Sequence, residues 1–311
     1  MIEIKKYESL KIKEWDDFIS NSRIDSFIFF RNFMDYHSYK FQDFSLMLYK
    51  KGKLDAVIPG NIDNAIFYSH QGLTYAGLIT SSNSKTIDVI NYFNAINLFL
   101  KKNGVKQVVY KSIPYIYNEL PSQEDIYALF RLKALKIACN ISSTIYQNSK
   151  LPFIELRKRG SKKAKKNNLE IFKTTNFNDF WMILEANLLN SHGVKPTHTI
   201  DEINLLQNRF PNNIVCYNCL LGSMVVGGCV LFVMKNVVHV QYISANKIGK
   251  EVGALDLLFE ELINKRYKDK AFFDFGQSTE EMGTFLNENL IFQKEGFGGR
   301  GICYDIYKYD I

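Results

Sequence analysis

The densest run of polar chemistry lies near the C-terminus, where Phe272-Phe-Asp-Phe-Gly-Gln-Ser-Thr279 is followed by Gly283-Thr-Phe-Leu-Asn287 and Phe292-Gln-Lys-Glu-Gly-Phe-Gly-Gly-Arg300. The pattern predicts a short apolar strand ending at Gly276, a helix with its asparagine near the far end, and a glycine-rich turn into a last strand, Ile302 to Tyr307. Polar groups thus recur where strands end and where backbone N–H and C=O groups can meet a ligand. Histidines form the second chemical group. His192 and His198 flank Pro196 in a polar loop, and His198 precedes Thr199, which stands at capping-box spacing from Glu202. An imidazole beside the exposed N–H groups of a first helical turn suits a proton acceptor or a substrate contact. No carboxylate stands at ligand spacing from this pair, which argues against a metal. His239, alone on an apolar strand, reads as a packed structural group.

The rest of the composition bounds the setting. At 311 residues and 46% hydrophobic, the chain can bury a full core and fill two domains. The start, Met1-Ile-Glu-Ile-Lys-Lys, lacks the apolar run of a signal peptide, and no stretch approaches the roughly 20 apolar residues of a membrane span, so a cytoplasmic location is expected. Five cysteines without framework spacing suit a reducing compartment. Cys216-Tyr-Asn-Cys219 has metal-like spacing but lacks a second ligand pair and lies in a strand-like run, so no metal is expected. The net charge of +7 is concentrated in Arg157-Lys-Arg-Gly-Ser-Lys-Lys-Ala-Lys-Lys166. Such a run is a solvated linker or helix face, or an anion site for the phosphates of a nucleotide, nucleic acid or lipid. No aromatic residues interleave with it, so base stacking is not indicated.

Those side chains need elements to position them. In the first half, strands are expected at 46–49, 54–59 and 65–69, a helix at 85–102, a strand at 105–110, a helix at 123–136 and a strand at 141–146. The second half repeats the order: strand 169–173, helix 179–189, a shorter helix from Thr199, strands 214–221, 225–234 and 237–244, helix 254–263, then strand 271–275 and the closing elements. The repetition suggests a duplicated domain, divided as 1–150 and 151–311.

This order of elements resembles the GNAT acyltransferase fold, and two in tandem resemble the FemAB-like acyltransferases. The likeness also rests on Asp35-Tyr-His37, Phe41-Gln-Asp-Phe-Ser-Leu46, Ser69-His-Gln-Gly-Leu-Thr-Tyr-Ala-Gly77, His192-Gly-Val-Lys-Pro-Thr-His-Thr199, His239-Val-Gln-Tyr242, Asp274-Phe-Gly276, and Leu286-Asn287 with Phe292-Gln-Lys-Glu295. Together they resemble a branch of N-acetyltransferases that often accompany surface-polysaccharide genes. The implied fold class is α/β (α+β), with two tandem GNAT-like domains built on mixed, mainly antiparallel sheets.

The resemblance implies acyl transfer to an amine, most simply acetyl from acetyl-CoA, with a sugar or peptide precursor of the cell envelope as acceptor. Fem-type transfer from aminoacyl-tRNA, contacting the cationic segment Arg157 to Lys166, is the alternative, and a non-catalytic protein binding polysaccharide or lipid precursors is a third. In the GNAT frame, the strand 237–244 faces the donor, and Ser244, Lys247, Gly249, Lys250, Gly253 and Ala254 are the donor-binding candidates, with free N–H groups cradling pyrophosphate. His198 and His192 are the candidate bases, and Tyr242 the candidate acid for the leaving thiolate. His70, Thr74 and Tyr75 form an expected acceptor wall in the first domain. Lys195, Gln241, Asp274, Asn287 and Lys294 are expected to close the pocket from the second.

Overall fold

The computed structural model describes residues 2–311, and the chain divides into two compact units. Unit one comprises residues up to 140, 279–285 and 303–311, and unit two comprises 141–278 and 286–302. The boundary therefore differs from the expected 150/151 division. One strand, Leu135–Tyr146, begins in unit one and ends in unit two, and the strand Arg300–Asp310 makes the return passage.

In chain order, the elements up to the first passage are β1 (Ile2–Lys6), α1 (Ile12–Ser20), α2 (Arg31–Met34), β2 (Leu46–Lys50), β3 (Lys53–Ile58), β4 (Asn61–Asp63), β5 (Ile66–Tyr68), β6 (Ile79–Thr80), α3 (Thr86–Lys102), β7 (Gln107–Lys111), α4 (Glu124–Arg131) and β8 (Leu135–Tyr146). There follow α5 (Glu155–Lys166), β9 (Leu169–Thr174), α6 (Asn178–His192), α7 (Ile200–Arg209), β10 (Ile214–Leu221), β11 (Met224–Val233), β12 (Val237–Ala245), α8 (Lys247–Val252) and α9 (Ala254–Glu261). The last are β13 (Phe272–Gln277), β14 (Thr279–Glu280), β15 (Phe285–Leu286), α10 (Glu288–Glu295) and β16 (Arg300–Asp310).

Unit one holds an antiparallel sheet ordered β1-β2-β3-β6 and a second ladder in which β7 lies between β5 and β16. Its core forms where Val89, Phe93, Ile96 and Leu100 of α3 meet Leu46, Leu48 and Ala56. These α3 positions recur at helical spacing, which is why the sequence marked the helix. The expected helix 123–136 ends earlier, at Arg131. Lys133 has φ +55, a left-handed conformation that stops the helix and lets β8 begin at Leu135, before the expected 141.

In unit two the sheet order is β8-β13-β12-β11-β10-β9. The pairs are antiparallel except β12 with β13, which run parallel. Ile214–Leu221 matches the expected strand and is buried along most of its length, which is why its apolar run lacks polar alternation. On one face, Leu257, Leu258, Phe259 and Leu262 pack over Cys229, Leu231, Val238 and Val240. The cationic run 157–166 belongs to a helix, α5, docked against α9 through Arg157–Asp256 and Ser161–Glu260. Asn287 stands at the start of its helix rather than the far end. Its Oδ1 caps α10 by accepting from Leu290 N–H, because 279–286 form a short two-stranded hairpin and turn instead of helix.

Candidate active site

Two parallel strands part in unit two, and a histidine and an aspartate stand at the parting. The β12–β13 ladder comprises Val237↔Phe272, Val238↔Phe273 and His239↔Asp274. Each strand then becomes irregular. On β12 the register against β11 moves from Leu231↔Val240 to Val230↔Tyr242, which leaves Gln241 as an extra, bulged residue. On β13 the register against β8 shifts between Asp274 and Gln277, with Gly276 at φ +73. Bulges increase local twist and bend a strand, so two in succession drive the pair apart beyond the last rung.

At that rung, His239 Nδ1 lies 2.7 Å from Asp274 Oδ2. Asp274 is fully buried, and its Oδ1 accepts hydrogen bonds from Ser142 and from Thr144, the latter at 2.7 Å. Ser142 and Thr144 are two apart on β8 and so project from the same face. A carboxylate held by two hydroxyls cannot turn away from the imidazole. It fixes the tautomer with the proton on Nδ1 and assigns base chemistry to Nε2, and it stabilises the imidazolium once a proton is taken. The Cε1 and Nε2 edge faces Gly276, whose missing side chain leaves room: a Cβ there would stand 3.2 Å from Cε1.

Lys294 anchors the other side of the fork. It reaches from the last turn of α10 and donates to Gly276 O at 2.9 Å and Gln277 O at 2.7 Å. Only 4% exposed, its amine is lowered to about 8, burial outweighing the upward pull of Asp274. Its ammonium satisfies the β13 carbonyls where the strand departs from β12.

The bulge at Gln241 also decides which residues share a face with His239. Without it, 239, 241 and 243 would point together; with it, His239 and Tyr242 lie opposite Phe232 and Val230 and share one face of the sheet. Ser244 joins them, its Oγ accepting from Asn187 Nδ2 of α6 at 2.7 Å. Tyr242 packs edge-on against Trp181 of the same helix. The Tyr242 hydroxyl lies 2.6 Å from His198 Nδ1 and accepts from the His198 backbone N–H at 3.2 Å. Burial pushes the phenol up to about 12. His198 and Tyr242 are therefore brought together as a buried pair that fastens the loop before α7. Thr199 and Glu202 form the expected capping box behind it. The His192 side chain lies outside the described residues. Lys195 is exposed, and Gln241 is partly buried at the bulge.

The donor-binding candidates have other partners. Asn246 caps α8 by accepting from Gly249 N–H, and a Cβ on Gly249 would stand 2.1 Å from Val226 O, so this glycine admits a helix–strand approach. Gly253, at φ +81, ends α8 and faces α5, where its Cβ would stand 2.4 Å from Gly160 O. Ala254 is fully buried. The first turn of α9, expected to receive a pyrophosphate, is thus covered by α5, and its Asp256 pairs with Arg157 at 2.7 Å. Lys247 and Lys250 are exposed. A cleft of about 470 Å³ lies beside Asn187 and Asn246, between α6 and the β10–β11 turn. In unit one, His70 and Tyr75 are buried rather than lining an open wall, and Thr74 is exposed. Tyr75 stacks on Tyr117, with its hydroxyl 2.8 Å from Ser26 Oγ.

The pairing of His239 with Asp274 escaped the sequence reading. The one local signal was the polar triplet Ser142-Ser143-Thr144 inside an otherwise apolar setting, which marks a buried polar partner nearby.

No family model matches the sequence, and no curated protein matches it. Solved structures do match in shape. FemX superposes with a TM-score of 0.70 at 8% identity, covering 99% of this chain and 97% of that one. The L-PGS structure from Bacillus licheniformis gives 0.62 at 9% identity, covering 97% and 91%. A tandem GNAT protein from the clavulanic acid biosynthesis pathway gives 0.53 at 8% identity, covering 100% and 98%. The chain shares the fold of FemX and of the tandem GNAT protein, with mixed, mainly antiparallel sheets as expected. No helix is long and apolar enough to cross a membrane among the described residues.

Proposed function

We propose that this protein is an acyltransferase acting at the fork between β12 and β13, with His239 as the base. The observation that carries the reading is the His239–Asp274 pair on the last rung before the strands part. An acceptor amine attacks the acyl carbon, a C–N bond forms and the bond to the donor's leaving atom breaks. The amine proton passes to His239 Nε2 while Asp274 stabilises the charge on the ring. The leaving sulfur or oxygen then takes a proton from the imidazolium. Tyr242 shares this face, and its two bonds to His198 fasten the loop before α7. Acetyl-CoA is the simplest donor, and an amine of a sugar or peptide precursor of the cell envelope is the acceptor class the resemblance favours.

A second donor has an observation of its own. The helix α5 presents Lys158, Lys162 and Lys165 to a cleft of about 470 Å³, lined also by Lys150, Pro152, Phe153 and Glu260, the last paired with Lys165. The same helix covers the first turn of α9, where a CoA pyrophosphate was expected. A polyanionic donor such as aminoacyl-tRNA suits this cationic surface. Release of free thiol from acetyl-CoA with a panel of amino sugars and peptides, beside transfer from charged tRNA to the same acceptors, separates the donors. Turnover with either supports the enzyme reading. Binding of acceptors without turnover of any donor contradicts it and leaves the non-catalytic alternative.

A further inference from the structure

Unit one carries a second cluster of reactive side chains, remote in sequence and outside the chemistry proposed above. Cys139 on β8 and Cys303 and Asp305 on β16 bring two sulfurs and a carboxylate oxygen within 4.8 Å of one another. The two strands are neighbours in the sheet. Both cysteines are exposed, unlike Cys216, Cys219 and Cys229, which are buried. The carboxylate is divided. Asp305 Oδ2 receives Lys136 Nζ at 2.6 Å and the Tyr307 hydroxyl at 3.2 Å, whereas Oδ1 is buried and has no hydrogen-bond partner among the described residues. A buried carboxylate oxygen without a donor carries a desolvation cost, which a coordinated cation removes.

We propose that Cys139, Cys303 and Asp305 form a binding site for a thiophilic divalent metal ion, zinc by preference. Two thiolates and one carboxylate oxygen supply three of the four ligands of a tetrahedral site, and water takes the fourth position. Sulfur ligands select zinc over magnesium or calcium. On binding, two S–H bonds give way to two metal–sulfur bonds, and both protons leave to solvent. Lys136 and Tyr307, bonded to Oδ2, orient the carboxylate as outer partners. The turn containing Gly283 abuts the backbone of β8 here, since a Cβ on that glycine would stand 2.1 Å from Cys139 O. The ion would tie β8 to β16, the two strands that run through both units.

Cobalt titration of the full chain, stripped with chelator and kept in a non-thiol reductant, tests the site. One equivalent of Co²⁺ should produce thiolate-to-cobalt charge-transfer absorption, which Zn²⁺ then bleaches. Zn²⁺ should also raise the thermal midpoint. The double variant Cys139→Ser with Cys303→Ser should lose the absorption while unfolding near the metal-free parent's temperature. Asp305→Asn should weaken Zn²⁺ binding by about tenfold or more. Absence of the charge-transfer band in the reduced parent overturns the proposal, as does undiminished Zn²⁺ affinity in the double variant. An intact mass two hydrogens below the reduced value, persisting in reductant, also overturns it by showing the thiols joined to each other.

Discussion

Gly253 and Gly160 meet backbone to backbone, so close that a Cβ on Gly253 would stand 2.4 Å from the Gly160 carbonyl oxygen. This contact seats α5 on the start of α9 and explains two glycines that sequence alone assigned to a phosphate cradle and to a cationic run read as a linker, a helix face or an anion site. Gly253→Val should therefore destabilise the fold by about 3 kcal/mol or more, since it adds overlap to a left-handed backbone. Denaturant unfolding measures this directly. Unchanged stability with lost affinity for coenzyme A would restore the cradle reading.

His70 sets a pH dependence. Burial first, then His37, Lys111 and Arg31, lower its pKa to about 3, and its Nδ1 accepts from Gly72 N–H, as a neutral ring does. The folded value lies below the unfolded value near 6.5, so the unfolded chain binds the extra proton between those limits. The contribution is present in full above about pH 6.5 and is lost as pH falls towards 3, by at most about 1.4 kcal/mol per pH unit. His70→Gln should flatten the acid side of the stability profile across that window. An equally steep loss in the variant would show that other groups cause it.

Much of the scaffold was legible because its signals are local. The alternating and continuous apolar runs of β10 to β12, the stripe on α3 and the Thr199–Glu202 capping box each lie within one element. The site was less legible because its partners meet by tertiary pairing. His239 and Asp274 are 35 residues apart, and their parallel register leaves no periodic trace. The bulge at Gln241 was equally hidden, and it moves Tyr242 onto the face of His239. Residues chosen for their neighbours in sequence, such as Gly253 and Tyr75, proved to be committed to neighbours in space.

Tyr242 and His198 fasten a loop on this account, so their loss should register in stability. Tyr242→Phe removes a buried hydroxyl bonded twice to His198 and should cost about 1–3 kcal/mol. Thermal or denaturant unfolding provides the check. His198→Ala should slow turnover by less than tenfold, and a larger loss without destabilisation would make His198 the base.

Charge reversal on α5 separates the two donors. Lys158→Glu with Lys162→Glu should weaken tRNA binding and steepen its loss with salt if the cleft holds nucleic acid. The same pair should leave the KM for acetyl-CoA within about twofold. Electrophoretic mobility shifts and steady-state kinetics on one preparation decide between them, and unaltered tRNA affinity removes α5 from the donor site.

The most direct test is turnover of His239→Gln beside the parent, using whichever donor and acceptor the screen identifies. The variant should fall by about 100- to 10,000-fold in kcat while remaining folded. Turnover within about twofold of the parent would contradict acyl transfer through His239 and return that residue to a structural role.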